Sequence, residues 1–307
     1  MTTPADTPRP WCPQGPAQET RETRQAATRF TRRTLLVSAS ASVLGWNPTA
    51  AAPVGKALTV PDTALLRIGG VGSVTPILKR LAAVYEQQHP GFRVQVVEPP
   101  LGSSGSVRAL AAGKLEVAVT GRVLTPQERG NVTPWVRTPL VLATSYLKAT
   151  GLSLKQVADA YAGRMTTWPD GQPLRLVLRS AFESETLQLK ALSPEVAQAV
   201  DAALQRRDLP VPDNDLAALE LIQRVQGSLG SSSLGLMLST QAKVRALPIE
   251  GREPTLAHLL SGAYPWSRTY HLVQPAQASH AVVRWLDFLR SDAALRSLQP
   301  LGYAVAA

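Results

Sequence analysis

Short apolar runs alternate with segments of helical periodicity in residues 66–122, LRIGGVGSVTPILKRLAAVYEQQHPGFRVQVVEPPLGSSGSVRALAAGKLEVAVTGR. Apolar runs at 65–68, 93–98 and 117–119 predict strands. The segments after Pro76 and from Val107 carry apolar residues at helical spacing, and Pro90-Gly91 and Gly113 end them. The order β-α-β-α-β predicts a mainly parallel sheet with helices on its faces.

The same alternation continues to the end of the chain. Strands are predicted at 140–144, 174–178, 234–238 and 269–273, and helices at 153–161, 183–192, 194–205, 215–226 and 281–298. The chain of 307 residues is long enough for one large domain or two smaller ones. GSSGS (102–106) follows a strand and precedes a helix, so we expect a strand-to-helix turn there and not a flexible linker.

Residues 1–52 predict a twin-arginine-type signal peptide and disordered N-terminus. Arg32-Arg33 precedes a modestly apolar run at 35–46, which is too short and too rich in small residues to span a membrane, and 49–52 offers small residues for cleavage. A basic tail before a buried helix and a retained anchor are the alternatives. The single cysteine, Cys12, precedes the run, so the mature part would have no disulfide and no cysteine metal site.

The charge balance indicates an anionic partner of some kind. The formal net charge is +10, and residues 1–52 hold six arginines against three acids, which leaves about +7 for the mature part. Lysine and arginine are scattered and aromatics make up only 5%. A nucleic-acid groove needs clustered basic residues with interleaved aromatics, so we expect no nucleic-acid partner.

Two glycine- and hydroxyl-rich loops follow successive predicted strands, at 69–75 and 102–106. Glycine lets the backbone approach a ligand, and a helix N-terminus offers free N–H groups and partial positive charge. In open parallel sheets, ligands lie at the carboxyl ends of strands, where these loops fall. Together they predict an anion or carbonyl site, although turn glycines and helix-capping serines explain either loop alone.

Signals for catalysis are sparse. None of the four histidines has metal-ligand spacing, and the sequence has no phosphate loop or dinucleotide fingerprint. Residues 230–235 have the wrong spacing for a nucleophile elbow, and we interpret them as the entry to a strand. Asp213 and Asp215 are expected to cap a helix. We therefore expect no enzyme, cofactor or metal, and keep a serine-type hydrolase as an alternative.

A family resemblance is carried by 66–122 and by one later segment. ALAAGKLEVA (109–118) is similar to the family pattern Ala-Leu-x-x-Gly-x-x-Asp-Ile-Ala, and LSLKQVADAYAGRMTTWPDGQPLRLVLR (152–179) keeps the order Trp, Gly, Pro, Arg of a second landmark. The chain resembles the phosphate-type (PstS-like) solute-binding proteins of ATP-binding-cassette (ABC) transporters, in the type 2 periplasmic-binding-protein superfamily. The likeness covers nearly all of 65–303.

This resemblance implies two α/β lobes, each a mostly parallel sheet flanked by helices, joined by two hinge crossings near 144–145 and 268–270. Lobe 1 would comprise 60–145 plus 270–307, and lobe 2 would comprise 146–269. It further implies an exported, periplasmic monomer that captures phosphate or a similar oxyanion in the cleft for an ABC permease. A two-lobed ligand-sensing or signalling protein without a transport role is the alternative.

The resemblance also implies the ligand residues. Arg122 stands where many phosphate binders have aspartate, and Glu185 stands where a glycine is expected, so a carboxylate there would repel a dianion. Glu183 would replace the missing acceptor or favour a helix start. Another small ligand, or a loss of ligand binding, is therefore the alternative to an oxyanion. The expected ligand residues are Ser73, Thr75, Ser103, Ser104, Gly105, Arg122, Arg179, Ser184 and Thr186.

Overall fold

The computed structural model of the protein describes residues 64–306. The predicted signal peptide at 1–52 and Cys12 lie outside the described residues and stay predictions. Within 64–306, no helix has the length and apolar character needed to cross a membrane.

Nine strands are present in the described part of the chain. The strands are β1 Ala64–Gly70, β2 Phe92–Val96, β3 Val117–Thr120, β4 Asn131–Thr144, β5 Arg175–Val177, β6 Ser228–Ser233, β7 Arg245–Leu247, β8 Ser267–Gln274 and β9 Ala304–Val305. Their order is β2-β1-β3-β8-β4-β6-β5, with β7 and β9 also pairing with β4.

Ten α-helices connect these strands over 64–306. The helices are α1 Thr75–Gln88, α2 Gly102–Ala111, α3 Leu154–Tyr161, α4 Ser184–Lys190, α5 Pro194–Leu204, α6 Asp215–Arg224, α7 Leu234–Thr240, α8 Leu256–Ser261, α9 His280–Arg290 and α10 Asp292–Leu298. Serine, threonine or asparagine caps most of the later helices; Ser153 and Gln156 form a full capping box at α3.

Parallel pairing lies in the outer part of each half of the sheet. β1 pairs in parallel with β2 and β3, with Leu66 opposite Val94 and Ile68 opposite Val117, and β5 pairs in parallel with β6. The long strands β4 and β8 pair antiparallel to each other in the middle. With helices between the parallel strands, this arrangement confirms the predicted α/β, two-lobed fold class.

Two groups of hydrophobic clusters divide the molecule into lobes. Trp285, Tyr85 and the faces of β1 and α1 form the main core of the first lobe. Tyr161, Val196 and β4 from Leu140 onward contribute to the core of the second. The chain thus changes core at 136–140 and again at 264–270.

β4 pairs with different strands along its length. It pairs with β8 through Pro139, opposite Ser267, and with β6 from Leu140, opposite Ser233. The strand partner of β4 therefore changes at Pro139–Leu140. The predicted lobe boundaries and hinge crossings stay predictions.

Two local predictions were wrong. GSSGS is not a turn before a helix but the first turn of α2 itself. Residues 234–238 form helix α7 and not a strand; the strand is the preceding, fully buried β6, whose last residue Ser233 caps α7 by accepting a hydrogen bond from Leu236 N. A short apolar run does not distinguish a buried strand from a buried helix, and a serine-rich strand has no apolar signal.

Candidate functional site between the lobes

The two lobes meet along a seam formed by β-strand ends and helix N-termini. Ser184 at the start of α4 packs so closely on Gly121 that a Cβ at Gly121 would collide with its Oγ. Gln188 Nε2 donates a hydrogen bond to Gly121 O at 3.1 Å. A Cβ at Gly72 would lie 3.2 Å from Asp215 Oδ2. Residues from both lobes therefore come together at this seam.

The lobe 1 side presents hydroxyls at two helix N-termini. Ser73 and Thr75 are buried where α1 begins. Ser103 Oγ accepts a hydrogen bond from Gly121 N at 3.0 Å, so this hydroxyl fastens α2 to the end of β3. Gly105 lies within α2, and the nearest neighbour of a Cβ there would be Leu101, the N-cap residue of this helix, at 3.3 Å. Ser73 and Thr75 are thus the better placed hydroxyls of this lobe.

Arg122 forms hydrogen bonds within its own lobe, at the outer edge of the seam. Its Nη1 and Nη2 atoms each lie 2.7 Å from an oxygen of Glu128, and Nη2 also donates to Ser104 Oγ at 3.0 Å. The bidentate hydrogen bond to Arg122 lowers the pKa of Glu128 to about 2. Arg122 is therefore neutralised by its own lobe.

The lobe 2 side places α4 at the seam, and Arg179 lies close to the start of this helix. Arg179 is buried, donates from Nη1 to Pro212 O, and has Glu183 Oε2 at 3.7 Å from Nη2. Thr186 Oγ1 donates to Ser180 O at 2.8 Å, which fixes the loop before the helix. Of the expected lobe 2 residues, Ser184 lies against the other lobe. Arg179 contacts Pro212 and Glu183 of its own lobe, and Thr186 holds the loop before α4.

A buried ion cluster lies behind these residues. Arg268, on β8 at the predicted second crossing, is 0% exposed, and its Nη1 lies 2.9 Å from Glu185 Oε2 and 3.3 Å from Asp215 Oδ1. Glu185 and Asp215 are 2% and 4% exposed. Tyr270 and Ser73 adjoin these groups. We call Ser73, Arg179, Glu185, Asp215, Arg268 and Tyr270 the Arg268 cluster.

The two buried carboxylates of the Arg268 cluster have opposite pKa shifts. Burial raises the pKa of Glu185 to about 8, and the neighbouring Asp215 reinforces the rise against the pull of Arg268. Burial also acts to raise the pKa of Asp215, but Arg268 and a hydrogen bond from Glu185 outweigh it and hold that pKa well below its ordinary value. Two carboxyl groups so close keep one proton between them.

Several polar atoms of the Arg268 cluster lack a hydrogen-bond partner among residues 64–306. They are Ser73 Oγ, Arg179 Nε, Glu185 Oε1, Arg268 Nε and Tyr270 OH. Buried polar atoms are almost always hydrogen-bonded, so this concentration needs an explanation. A cavity beside Arg179 and Thr186 measures about 10 Å³, which is at most one water molecule.

Arg268, Asp215 and Gln188 lie at the seam or in the Arg268 cluster, and none of them was predicted from the sequence as a ligand residue. Asn214, not Asp213 or Asp215, caps α6, and Asp215 is the buried first residue of that helix. The available signal was an arginine directly before the predicted strand at 269–273, because an arginine buried there requires a buried anion. In the part of the chain that the structure describes, no cluster of three or more histidine, cysteine, aspartate or glutamate side chains is arranged to hold a metal ion.

Comparison with known proteins identifies the family. The model of the PBP (periplasmic-binding-protein) superfamily domain matches residues 25–293. A putative phosphate ABC transporter substrate-binding protein from Clostridium perfringens, solved with bound phosphate, superposes with a TM-score of 0.68 at 19% identity, over 79% of this chain and 100% of that one. An ABC-type phosphate transport receptor from Vibrio cholerae superposes with a TM-score of 0.57 at 23% identity, over 78% and 100%.

A curated relative is similar over a shorter length. The phosphate-binding protein PstS 2 of Streptococcus pneumoniae is 26% identical over 106 residues, or 34% of this chain and 36% of that protein. The chain therefore matches about a third of the length of this relative. The superfamily match spans most of the chain and agrees with the two-lobed fold and with the resemblance of 66–122. The chain belongs to the PBP superfamily.

Proposed function

We propose that the protein is a solute-binding protein that captures a small anion, phosphate or a similar tetrahedral oxyanion, between its lobes. The observation that carries this proposal is the pair of unpartnered guanidinium donors in the Arg268 cluster, Arg179 Nε and Arg268 Nε, each on a residue at least nine-tenths buried. Donors that converge in a low-dielectric site suit an oxyanion with several acceptor oxygens.

The local backbone supports an anion as well. The N-terminus of α2, a ten-residue helix, contacts the opposite lobe near Glu183, and the N-terminus of α1 carries buried Ser73 and Thr75. Helix N-termini offer partial positive charge to an anion. Arg179 supplies a formal charge from lobe 2. Because the lobes are in contact at this seam, binding requires them to separate and close about β4 and β8.

Calorimetry on the chain with phosphate, sulfate, molybdate and tungstate tests the binding function. We expect saturable heat at one site for at least one of the four anions. An absence of heat from all four at millimolar concentration would contradict the oxyanion proposal. In that case another small ligand, or a seam that binds no ligand, would be the better explanation.

We further propose that the bound anion is delivered to an ABC permease. Two structurally similar proteins are described as a phosphate ABC transporter substrate-binding protein and a phosphate transport receptor. Uptake of the captured anion by cells with and without the protein tests this role. Unchanged uptake together with altered gene expression would instead favour the sensing alternative.

Export by the twin-arginine route completes the proposal. It is supported by Arg32-Arg33 before the apolar run at 35–46. Replacing both arginines with lysine should retain the full-length chain in the cytoplasm, which cell fractionation measures. Continued export of the variant would contradict the route.

A further inference from the structure

The formal charges of the Arg268 cluster and the adjacent Glu183 do not sum to zero when all of these groups are ionised. Arg179 and Arg268 carry two positive charges, whereas Glu183, Glu185 and Asp215 carry three negative ones. With Glu185 neutral the sum is zero, and with Glu185 ionised it is −1. The protonation of Glu185, and of Glu183, whose pKa burial also raises, therefore decides whether the seam carries a net negative charge.

Glu185 lies where a change in its own charge acts directly on the contact between the lobes. Its Oε2 contacts Arg268, its Oε1 accepts no hydrogen bond within the described residues, and its side chain is 2% exposed. It also neighbours Ser184, which packs on Gly121 of the other lobe. A charge at this point lies in the interlobe contact with almost no water to screen it.

We propose that Glu185 sets the ligand charge that the seam accepts. A neutral Glu185 hydrogen-bonds to Asp215 and leaves the arginines available to an oxyanion. An ionised Glu185 competes with the oxyanion for Arg268 and repels doubly negative ligands. This inference rests on the proposed function, because it takes the seam as the ligand site.

Charged and titratable groups face Glu185 from every element packed around it. Only Asp215 and Glu183 share its sign, and Asp215 is already ionised because its pKa is well below the ordinary value. Burial raises the pKa of both neighbouring tyrosines, so they stay neutral. The groups are Asp215 from α6, Arg268 and Tyr270 from β8, Arg179 after β5, Tyr161 from α3 and Glu183 before α4.

Sulfate and phosphate binding to the wild type and to Glu185→Gln at pH 6 and pH 9 tests the inference. Sulfate stays doubly negative over this range, so its affinity reports on the protein, whereas phosphate also changes its own protonation. Glu220→Gln is the matched control, because Glu220 is an exposed glutamate of the same lobe and its replacement changes the net charge equally.

For the wild type and Glu220→Gln, we expect sulfate affinity to fall by about tenfold or more from pH 6 to pH 9, as Glu185 ionises. Glu185→Gln should change less than twofold and bind sulfate more tightly than the wild type at pH 9. An equal loss in all three proteins would overturn the inference and leave the proposed function standing.

If none of the three proteins binds phosphate, sulfate, molybdate or tungstate, the proposed function is overturned and the inference with it. Circular dichroism establishes that Glu185→Gln is folded before it is titrated. Should this variant not fold, the wild type alone decides, because a sulfate affinity that is unchanged between pH 6 and pH 9 overturns the inference.

Discussion

Two arginines of this protein contact carboxylates near the candidate site, in very different surroundings. The side chains of Arg122 and Glu128 are 19% and 18% exposed, whereas those of Arg268 and Glu185 are 0% and 2% exposed. In the first pair the carboxyl pKa falls to about 2, and in the second it rises to about 8. The pKa of the carboxyl group is therefore shifted in opposite directions in the two pairs.

Desolvation and a second carboxylate account for the difference. Glu128 receives two hydrogen bonds from Arg122 while solvent still reaches it, so its ionised form is favoured. Glu185 shares Arg268 with Asp215 inside the protein, and one cation does not compensate two buried anions. The comparison shows that an arginine contact alone does not fix the charge of a carboxyl group.

The largest expected effect comes from removing the buried cation. Arg268→Met should lower the free energy of unfolding by about 3–5 kcal/mol, because it leaves Asp215 buried without its counter-ion. Arg122→Met should cost about 1 kcal/mol or less, because Glu128 is then hydrated. Urea denaturation at pH 7 measures both.

Arg296→Met is the control for this pair of variants, because Arg296 faces solvent and its nearest carboxylate oxygen lies 3.7 Å away. It should be nearly neutral. Equal losses for Arg268→Met and Arg122→Met would show that burial does not separate the two pairs.

The second expected effect is a pH dependence of stability due to Glu185. Its folded pKa of about 8 exceeds the unfolded value of about 4.3, so the folded state holds an extra proton between these values. Folding is then stabilised most below about pH 4.3, and the contribution is lost as pH rises toward 8. The slope is at most about 1.4 kcal/mol per pH unit.

Subtracting the unfolding free energy of Glu185→Gln from that of the wild type between pH 5 and pH 8 isolates this contribution. Other groups cancel in the difference, including His271, whose pKa is lowered by burial. We expect the difference to decline steadily with pH. A difference that stays constant would mean that Glu185 is ionised throughout the range.

The fold was largely predictable because periodicity and stop signals agree along most of the chain. The strand before Gly69 and the helix from Pro76 were predicted close to their observed limits, since strand, glycine and proline signals coincide there. Prediction failed at β6, whose sequence is SLGSSS. Both faces of this strand are buried, but its residues are mostly serine and glycine, so it has no apolar pattern to detect.

The candidate site was predictable only in part. Ser73, Arg179 and Ser184 follow local signals, and they lie at the seam or in the Arg268 cluster. Arg268 and Asp215, in contrast, are 53 residues apart in the chain and meet only because β8 and α6 pack together. Nor does a sequence indicate that Glu128 neutralises Arg122. Which arginines remain available to a ligand depends on such long-range pairs.

Arg179 and Arg122 extend the comparison from stability to ligand binding. Arg179→Ala should weaken oxyanion binding by about 1.5–3 kcal/mol, roughly ten- to hundredfold, because a charged hydrogen bond is lost in a buried site. Arg122→Ala should have a smaller effect, below about threefold, because Glu128 holds both terminal nitrogens. Calorimetry with the tightest-binding oxyanion measures both.

Because Arg179 is buried, Arg179→Lys serves as the folded control that keeps the charge but not the guanidinium geometry. It should bind between the wild type and Arg179→Ala. A larger loss for Arg122→Ala than for Arg179→Ala would reverse the ranking and place the anion at the outer edge of the seam.

The smallest expected effect is the acid response of the exposed pair. The pKa of Glu128 is lowered to about 2, so its contribution to stability is present above the unfolded pKa of about 4.3 and is lost as pH falls toward 2. Solvent screening limits this contribution to about 1 kcal/mol. The unfolding free energy of the wild type relative to Glu128→Gln should therefore shrink between pH 5 and pH 2.5, opposite in direction to the Glu185 difference. If both differences decline toward acid, the buried pair behaves like the exposed one, and the distinction drawn between Arg122 and Arg268 does not hold.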